Sequence, residues 1–127
     1  MIDSVMASEN YVLAKKLLDA AAFRHELIAT NLANVETPGF KRVDLAPDFS
    51  QKLGSLVQKG DLDGTRDLAI QHHEDTHAGP ARPDGNNIEL DRELLELNRN
   101  ALEYEFLAEY TSNSLQRLKT AITGRVI

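Results

Sequence analysis

The sequence contains no cysteine and no tryptophan, and only 6% of its 127 residues are aromatic. Without cysteine, disulfide bonds, thiolate catalysis and cysteine-ligated zinc are all excluded. Most buried area must therefore come from Leu, Ala, Val and Ile, and a hydrophobic content of 42% is enough for one modest core. This composition predicts a single domain, residues 1–127, in which helices pack closely side by side.

Two kinds of targeting segment are also missing. The N-terminus lacks the charged start and apolar centre of a secretory signal. No apolar run approaches the roughly 20 residues that a membrane-spanning helix needs. We therefore expect no direct membrane span and, if the protein leaves the cytoplasm, export without a cleaved signal peptide.

The charge balance is acidic, with 20 Asp and Glu against 14 Lys and Arg and a formal net charge of -6. A surface of this sign repels a phosphate backbone at long range. The sequence therefore predicts that nucleic acid is not a partner.

The first long element is a helix, predicted within residues 1–36. No glycine or proline occurs between Ser8 and Asn34. A stripe of apolar and small residues recurs there at spacings of three, four and seven, which are typical of one helical face. Thr37-Pro38-Gly39 marks the stop, because the residue before a proline avoids the helical conformation and glycine permits a turn. The stripe consists of Ala14, Leu18, Ala21, Ile28 and Leu32.

The second long element is a helix predicted over residues 90–124, with Gly124 as its stop. Its apolar residues follow a heptad pattern, which is typical of a coiled-coil-like seam. One heptad position holds Leu94, Ala101, Ala108, Leu115 and Ile122, and the other holds Leu97, Tyr104, Thr111 and Leu118.

The middle, residues 37–89, is predicted to be rich in loops. Five of the seven glycines and three of the four prolines lie between residues 40 and 87. Residues 47–57 are compatible with a short amphipathic helix that begins at Pro47. Residues 60–87 are predicted to form turns and extended chain. The predicted fold is therefore mainly α, with two long terminal helices packed as an antiparallel coiled-coil-like pair.

The predicted seams contain alanine on both helices, at Ala14, Ala21, Ala101 and Ala108. Alanine lets two backbones approach closely but buries little area per residue. At about 25 cal/mol per Å² of apolar surface, such stripes stabilise a lone two-helix hairpin only marginally. The missing burial is therefore expected to come from partner molecules.

One polar cluster, His72, His73 and His77 with Glu74 and Asp75, invites comparison with a metal site. The order of these residues does not match the His-Glu-x-x-His arrangement of zinc proteases, and Gly79 and Pro80 follow closely. We interpret the cluster as a solvated polar loop. Since no nucleophile elbow, phosphate loop or dinucleotide motif is present either, the sequence predicts neither an enzyme nor a cofactor.

The segment from Ala29 to Arg42, ATNLANVETPGFKR, resembles the signature of the flagellar rod, hook and hook-associated protein family. In that family the signature closes the N-terminal helix. Its turn residues here are Asn31, Asn34, Thr37, Pro38, Gly39 and Phe40. The local chemistry agrees, since Asn34 can bond backbone near the helix end and Pro38-Gly39 suits a type II turn with positive φ at the glycine.

A second segment, which begins GNNIELDRE at Gly85 and continues to Ile122, resembles the C-terminal half of the short proximal rod subunits of this family. A second type of proximal rod subunit is the nearest alternative, but its characteristic Val-Asp-Val-Val-Glu-Glu-Met run before the last helix is absent. A helical adaptor protein outside the flagellum is the more distant alternative. It would share the heptads but has no need of the Asn31 to Phe40 block.

The resemblance implies a structural subunit of a helical tube in the periplasm, which helps to transmit torque from the membrane ring to the hook and filament. It implies export through the flagellar type III apparatus. It also implies contacts with copies of itself, with other rod subunits, and at the base with the membrane-ring protein and the rod-to-ring adaptor. The heptad residues named above, Thr111 excepted, and the stripe of the first helix form the predicted assembly seam.

Overall fold

The computed structural model describes residues 9–124, except for the side chains at positions 118, 121 and 122. In chain order the elements are α1 (Glu9–Ala33), β1 (Val43–Leu45), α2 (Phe49–Gln58), α3 (Leu62–Asp67), β2 (His72–Glu74) and α4 (Leu90–Thr123). The two long helices, α1 and α4, pack along each other in antiparallel directions. This arrangement confirms the predicted fold class. Within the described range, every helix is too short or too polar to span a lipid bilayer.

Helix α1 ends at Ala33, three residues before the predicted boundary, and the predicted residues 1–8 lie outside the described part. The Asn34 side chain donates to the Thr30 carbonyl over 2.8 Å at this end. The Phe40 N–H donates to the Thr37 carbonyl over 3.2 Å, and Gly39 has φ +77°. These values confirm a type II turn with a left-handed glycine.

Helix α4 begins at Leu90, as predicted, and ends at Thr123. Gly124 follows with φ +67°, and its N–H donates to the Thr120 carbonyl over 2.8 Å. A left-handed glycine with this bond satisfies one of the carbonyls that a helix C-terminus leaves without a partner. The predicted stop at Gly124 is confirmed, and residues 125–127 lie outside the described part.

The predicted short helix in the middle segment forms as α2, which begins at Phe49, two residues after the predicted start, and ends at Gln58. Its buried side chains Phe49 and Leu53 pack against Ala20 of α1. Half-buried apolar residues surround this small core, which fixes the middle segment to one side of α1. They are Leu13, Leu17, Leu45, Val57, Leu68 and Ile70.

The prediction that residues 60–87 contain only turns and extended chain is wrong at helix α3. Asp61 caps this helix, because its carboxylate accepts a hydrogen bond from the Gly64 N–H over 2.8 Å. The cap outweighs the poor helix propensity of Gly64 in the first turn. Extended chain is present at β2, which pairs with β1 in an antiparallel two-stranded sheet, with Asp44 opposite His73.

Candidate assembly surface and polar junction

The two signature segments, far apart in the sequence, meet at the end of α1 in what we call the polar junction: Asn31, Arg42, Asn86, Asn87 and Glu93. Asn86 is fully buried. Its side-chain N–H groups are shared among the carbonyls of Asn34, Val35 and Thr37, at 2.9, 3.1 and 2.9 Å. These carbonyls lie in the turn that follows α1, and those of Asn34 and Thr37 also accept backbone N–H groups within the turn. Asn86 therefore holds the turn after α1 against the second segment.

Backbone contacts reinforce this meeting of the two segments. The Gly39 N–H donates to the Asp84 carbonyl over 2.8 Å, and the Arg42 N–H donates to Oδ1 of Asn87 over 2.7 Å. Gly85 has φ +88°, and a Cβ atom there would lie 3.2 Å from the Gly39 Cα. Glycine at position 85 therefore permits both its own backbone conformation and the close approach of the turn.

Arg42 joins three acidic side chains at the centre of the polar junction. It is buried, and its Nε donates to the fully buried carboxylate of Glu93. Its Nη1 lies 2.8 Å from Asp44 and 2.8 Å from Asp75. Burial disfavours the guanidinium charge, but hydrogen bonds to Asp44 and Glu93 outweigh it, and the pKa of Arg42 is raised above its ordinary value. The group stays charged and holds the two-stranded sheet of β1 and β2 against the start of α4.

Asn31 connects the end of α1 to the same centre. Its buried amide pairs with both backbone groups of Val43, donating to the carbonyl over 2.8 Å and accepting from the N–H over 3.0 Å. It also lies 3.4 Å from the carboxylate of Glu93. Further along α1, Arg24 donates to Glu96 of α4 over 2.8 Å. The register of α1 against α4 is therefore fixed by polar contacts.

The predicted turn residues occupy different environments. Asn31 is buried, Asn34 and Phe40 are half-buried, and Thr37, Pro38 and Gly39 are exposed. Thr37 donates from its hydroxyl to Oδ1 of Asn34 over 3.1 Å. The structure brings the block together as one turn, while its role in assembly stays a prediction.

The predicted seam is divided between buried and exposed positions, and its role in contacts between molecules stays a prediction. The side chains of Leu118 and Ile122 lie outside the described part. On α1, Ala14, Ala21 and Ile28 are buried and Leu18 and Leu32 are half-buried; on α4, Leu97 and Ala108 are half-buried and Leu94, Ala101, Tyr104 and Leu115 are exposed.

The face of α4 that packs on α1 lies beside the predicted seam. Its buried positions are Glu93, Asn100, Leu107 and Thr111, of which three are polar. The Asn100 side chain donates to the Ala21 carbonyl over 2.8 Å. Hydrophobic periodicity does not detect such a face, because the residues that define it are not hydrophobic.

The outward surface of α4 carries large hydrophobic side chains. Sequence reasoning missed Leu95, Leu102 and Phe106, although their spacing of seven and four places them on one helical face. Leu102 is 69% exposed and Phe106 is 68% exposed. The exposed set on this helix is Leu90, Leu94, Leu95, Leu102, Tyr104, Phe106, Tyr110 and Leu115.

The histidine cluster lies on an exposed edge of the small sheet. His72 and His73 belong to β2, and the His72 ring lies 5.8 Å from the ring of Phe23 on α1. The His77 N–H donates to the Asp75 carboxylate over 2.9 Å. Across residues 9–124, no group of three or more His, Asp or Glu side chains is placed to hold a metal ion.

Comparison with known proteins gives a consistent result. No protein-family model matches the chain. The flagellar basal body rod protein FlgB of Aeromonas hydrophila is 32% identical, over 84% of this chain and 87% of that protein. FlgB of Aquifex aeolicus is 30% identical, over 89% of this chain and 92% of that protein. FlgB of Escherichia coli K12 is 26% identical, over 96% of this chain and 97% of that protein. The chain therefore belongs to the family of the flagellar basal body rod protein FlgB.

Proposed function

We propose that residues 1–127 form one rod-subunit domain that acts as a structural, non-enzymatic subunit of the proximal rod of the bacterial flagellar basal body. The observation that carries the proposal is the exposed apolar surface of α4. Soluble monomers rarely leave so many large apolar side chains of one helix uncovered, and exposed apolar surfaces mark interaction sites. The FlgB name shared by the relatives supports the rod as the place where the surface is covered.

The proposed partners are copies of this chain and other rod subunits, which cover α4 and the predicted seam. At the base, the membrane-ring protein and the rod-to-ring adaptor are proposed contacts. We propose that the chain reaches the rod in the periplasmic space through the flagellar type III export apparatus, without a cleaved signal peptide. Torque would pass through α1 and α4, because Arg24, Asn31 and Arg42 tie these helices to each other and to the middle segment.

The alternative subunits are not favoured. The relatives that cover most of the chain carry the name FlgB, which argues against the FlgC-type proximal rod subunit. A helical adaptor outside the flagellum is disfavoured by the same relatives.

The proposal is tested by isolating basal bodies from cells that carry a tagged copy as their only source of this subunit. We expect the tag in the rod by electron microscopy. Deletion of the gene should leave cells without rods and unable to swim. Motile deletion cells, or basal bodies that lack the tagged chain, would overturn the proposal.

A matched pair of variants tests whether the exposed apolar side chains of α4 form an interface. Leu115→Asp places a charge on the exposed apolar surface, where assembly buries it without a partner. Gln51→Asp places the same charge on an exposed polar position of α2. We expect Leu115→Asp to be exported but absent from rods, and Gln51→Asp to assemble. Normal assembly of Leu115→Asp would show that this surface is not an interface.

A further inference from the structure

A stripe on the outward face of α4, which we call the outer stripe, consists of Arg92, Leu95, Arg99, Leu102 and Phe106. Alternating spacings of three and four place these five residues on one side of the helix. All five side chains are exposed. Nη1 of Arg99 lies 3.7 Å from a carboxylate oxygen of Glu96, a long contact that leaves the Arg99 side chain 67% exposed. The outer stripe is therefore an apolar ridge that carries two positive charges.

A groove of about 350 Å³ lies between α1 and α4. Its size falls in the range of roughly 300–1,000 Å³ that suits small-molecule pockets, which is ample for a phenyl ring. Two of its residues are alanines, which let another chain approach closely. Within residues 9–124, the carboxylates of Glu26 and Glu105 have no hydrogen-bond or ion-pair partner. The groove is lined by Ala22, His25, Glu26, Ala101, Tyr104 and Glu105.

We propose that the outer stripe of one molecule docks into this groove on a second copy of the chain, an inference that rests on the proposed function. The two surfaces are complementary in chemistry. Leu102 and Phe106 bring apolar area to an apolar groove, and Arg99 brings a positive charge to the acidic rim formed by Glu26 and Glu105. Charge complementarity of this kind sets orientation and selects the partner.

The geometry also determines the kind of assembly. Leu102 on the stripe and Ala101 in the groove are consecutive, so they point about 100° apart around a helix with 3.6 residues per turn. Each molecule therefore carries the stripe and the groove on different faces. A contact between two unlike surfaces is heterologous, and it leaves one free stripe and one free groove at the ends of every oligomer that does not close into a ring. The interface therefore adds subunits in one direction, which a pairwise symmetric contact cannot do.

The absence of cysteine makes the contact directly testable by disulfide cross-linking. Cells would carry, as their only source of this subunit, Ala22→Cys, Leu102→Cys or the double variant. After mild oxidation of isolated basal bodies, we expect the double variant to give a ladder of dimers, trimers and longer products. Each single variant should remain monomeric. The control Ala22→Cys with Gln51→Cys, whose second site lies exposed on α2, should give no ladder.

The results separate the inference from the proposed function. Dimers from Leu102→Cys alone would indicate a symmetric contact, and an adduct with the mass of a different rod protein would indicate another partner. Either result, or no product from a double variant present in rods, overturns the inference while the chain remains a rod subunit. Absence of the unmodified chain from basal bodies overturns both.

A charge exchange provides a second measurement that does not depend on cysteine. Arg99→Glu or Glu105→Arg alone should lower the number of rod-containing basal bodies at least five-fold, because each brings like charges together. The double variant Arg99→Glu with Glu105→Arg should recover most of the loss. Failure of the double variant to recover contradicts the docking, and recovery supports it.

Discussion

The two long helices use their side chains in opposite ways. Helix α1 buries mostly apolar residues, which are Val12, Ala14, Ala20, Ala21, Leu27 and Ile28. Helix α4 buries mostly polar residues, which are Glu93, Asn100 and Thr111 beside Leu107, and leaves its large apolar side chains exposed. The packing of α1 is therefore largely complete within one molecule, whereas α4 leaves large apolar side chains exposed, where the proposed assembly would cover them. Each covered Leu or Phe contributes about 1.5–3 kcal/mol to such a contact.

The largest effect on stability is expected at the buried ion pair between Arg42 and Glu93 of α4. Arg42→Met leaves the buried carboxylate of Glu93 without its cation, and we expect the free energy of unfolding to fall by about 3–5 kcal/mol. Urea unfolding of the purified chain measures it. Adding Glu93→Leu should recover most of the loss. Arg66→Met removes an exposed pair with Asp63 and should change stability by less than about 0.5 kcal/mol. Equal losses for Arg42→Met and Arg66→Met would contradict the buried role of Arg42.

The contrast between the helices is tested most directly by one apolar truncation on each. Ile28 of α1 is 1% exposed, so Ile28→Ala should lower the free energy of unfolding by about 3 kcal/mol. Leu102→Ala on α4 should change it by less than about 0.5 kcal/mol. In rod assembly we expect the larger defect from Leu102→Ala, when both variants are compared at equal levels of folded protein. A large loss of monomer stability with Leu102→Ala would break the comparison.

Gly39→Ala and Gly54→Ala form a pair in which side-chain space is equal, since an added Cβ has no atom within 4 Å at either position. Only the backbone differs. At φ +77°, Gly39→Ala should lower the free energy of unfolding by about 1–2 kcal/mol. Gly54 lies inside α2, where alanine should raise it by up to about 1 kcal/mol. Thermal unfolding compares the two, and equal shifts in Tm would argue against a strained turn after α1.

Asn100 tests what the polar face of α4 contributes. It is buried, and its Oδ1 has no hydrogen-bond partner within residues 9–124. A buried amide of this kind fixes helix register at a cost in stability. We therefore expect Asn100→Leu to raise the free energy of unfolding by about 1 kcal/mol, and Asn98→Leu, at an exposed position, to leave it unchanged. A decrease with Asn100→Leu would show that its single bond to Ala21 stabilises more than the amide costs.

The smallest expected effect is on the stability of the protein at low pH, through Asp44. Burial tends to raise the pKa of Asp44. Hydrogen bonds from Arg42 and from the Leu45 N–H, together with the charge of Arg24, outweigh burial and lower this pKa. The resulting stability is present above the unfolded-state value of about 3.9 and is lost as the pH falls through the lowered folded-state value. Unfolding free energies measured below about pH 4 should therefore rise less steeply with pH in Asp44→Asn than in the unaltered chain. An unchanged slope would contradict the lowered pKa.

Sequence patterns predicted the long helices and the turn between α1 and the middle segment because those features have local causes. The glycine- and proline-free run before Asn34, the Pro38-Gly39 pair and Gly124 act through the backbone conformations of a few adjacent residues. The same patterns could not find α3, since its start depends on a single cap at Asp61.

The polar junction could not be predicted from periodicity. Arg42 and Glu93 are 51 positions apart, and nothing in the sequence around either residue distinguishes it from an exposed charged residue. Their burial follows from the packing of three elements, not from any local pattern. For the same reason the hydrophobic heptad does not detect the buried polar positions of α4, and its role in assembly stays a prediction. Large exposed side chains look identical in sequence to buried ones, and only the packed structure separates them.

Asn86 bonds the turn after α1, although it lies 52 positions beyond Asn34 in the chain. Any process that delivers the chain from its N-terminus, such as synthesis on a ribosome, therefore releases α1 and its turn long before Asn86. Glu93 then follows as the carboxylate that Arg42 requires. Non-local contacts of this kind are slow to form, because a long loop must close first. A fragment that stops before Asn86 lacks three residues of the polar junction and cannot form it. Formation of the junction therefore requires the chain to extend past Glu93.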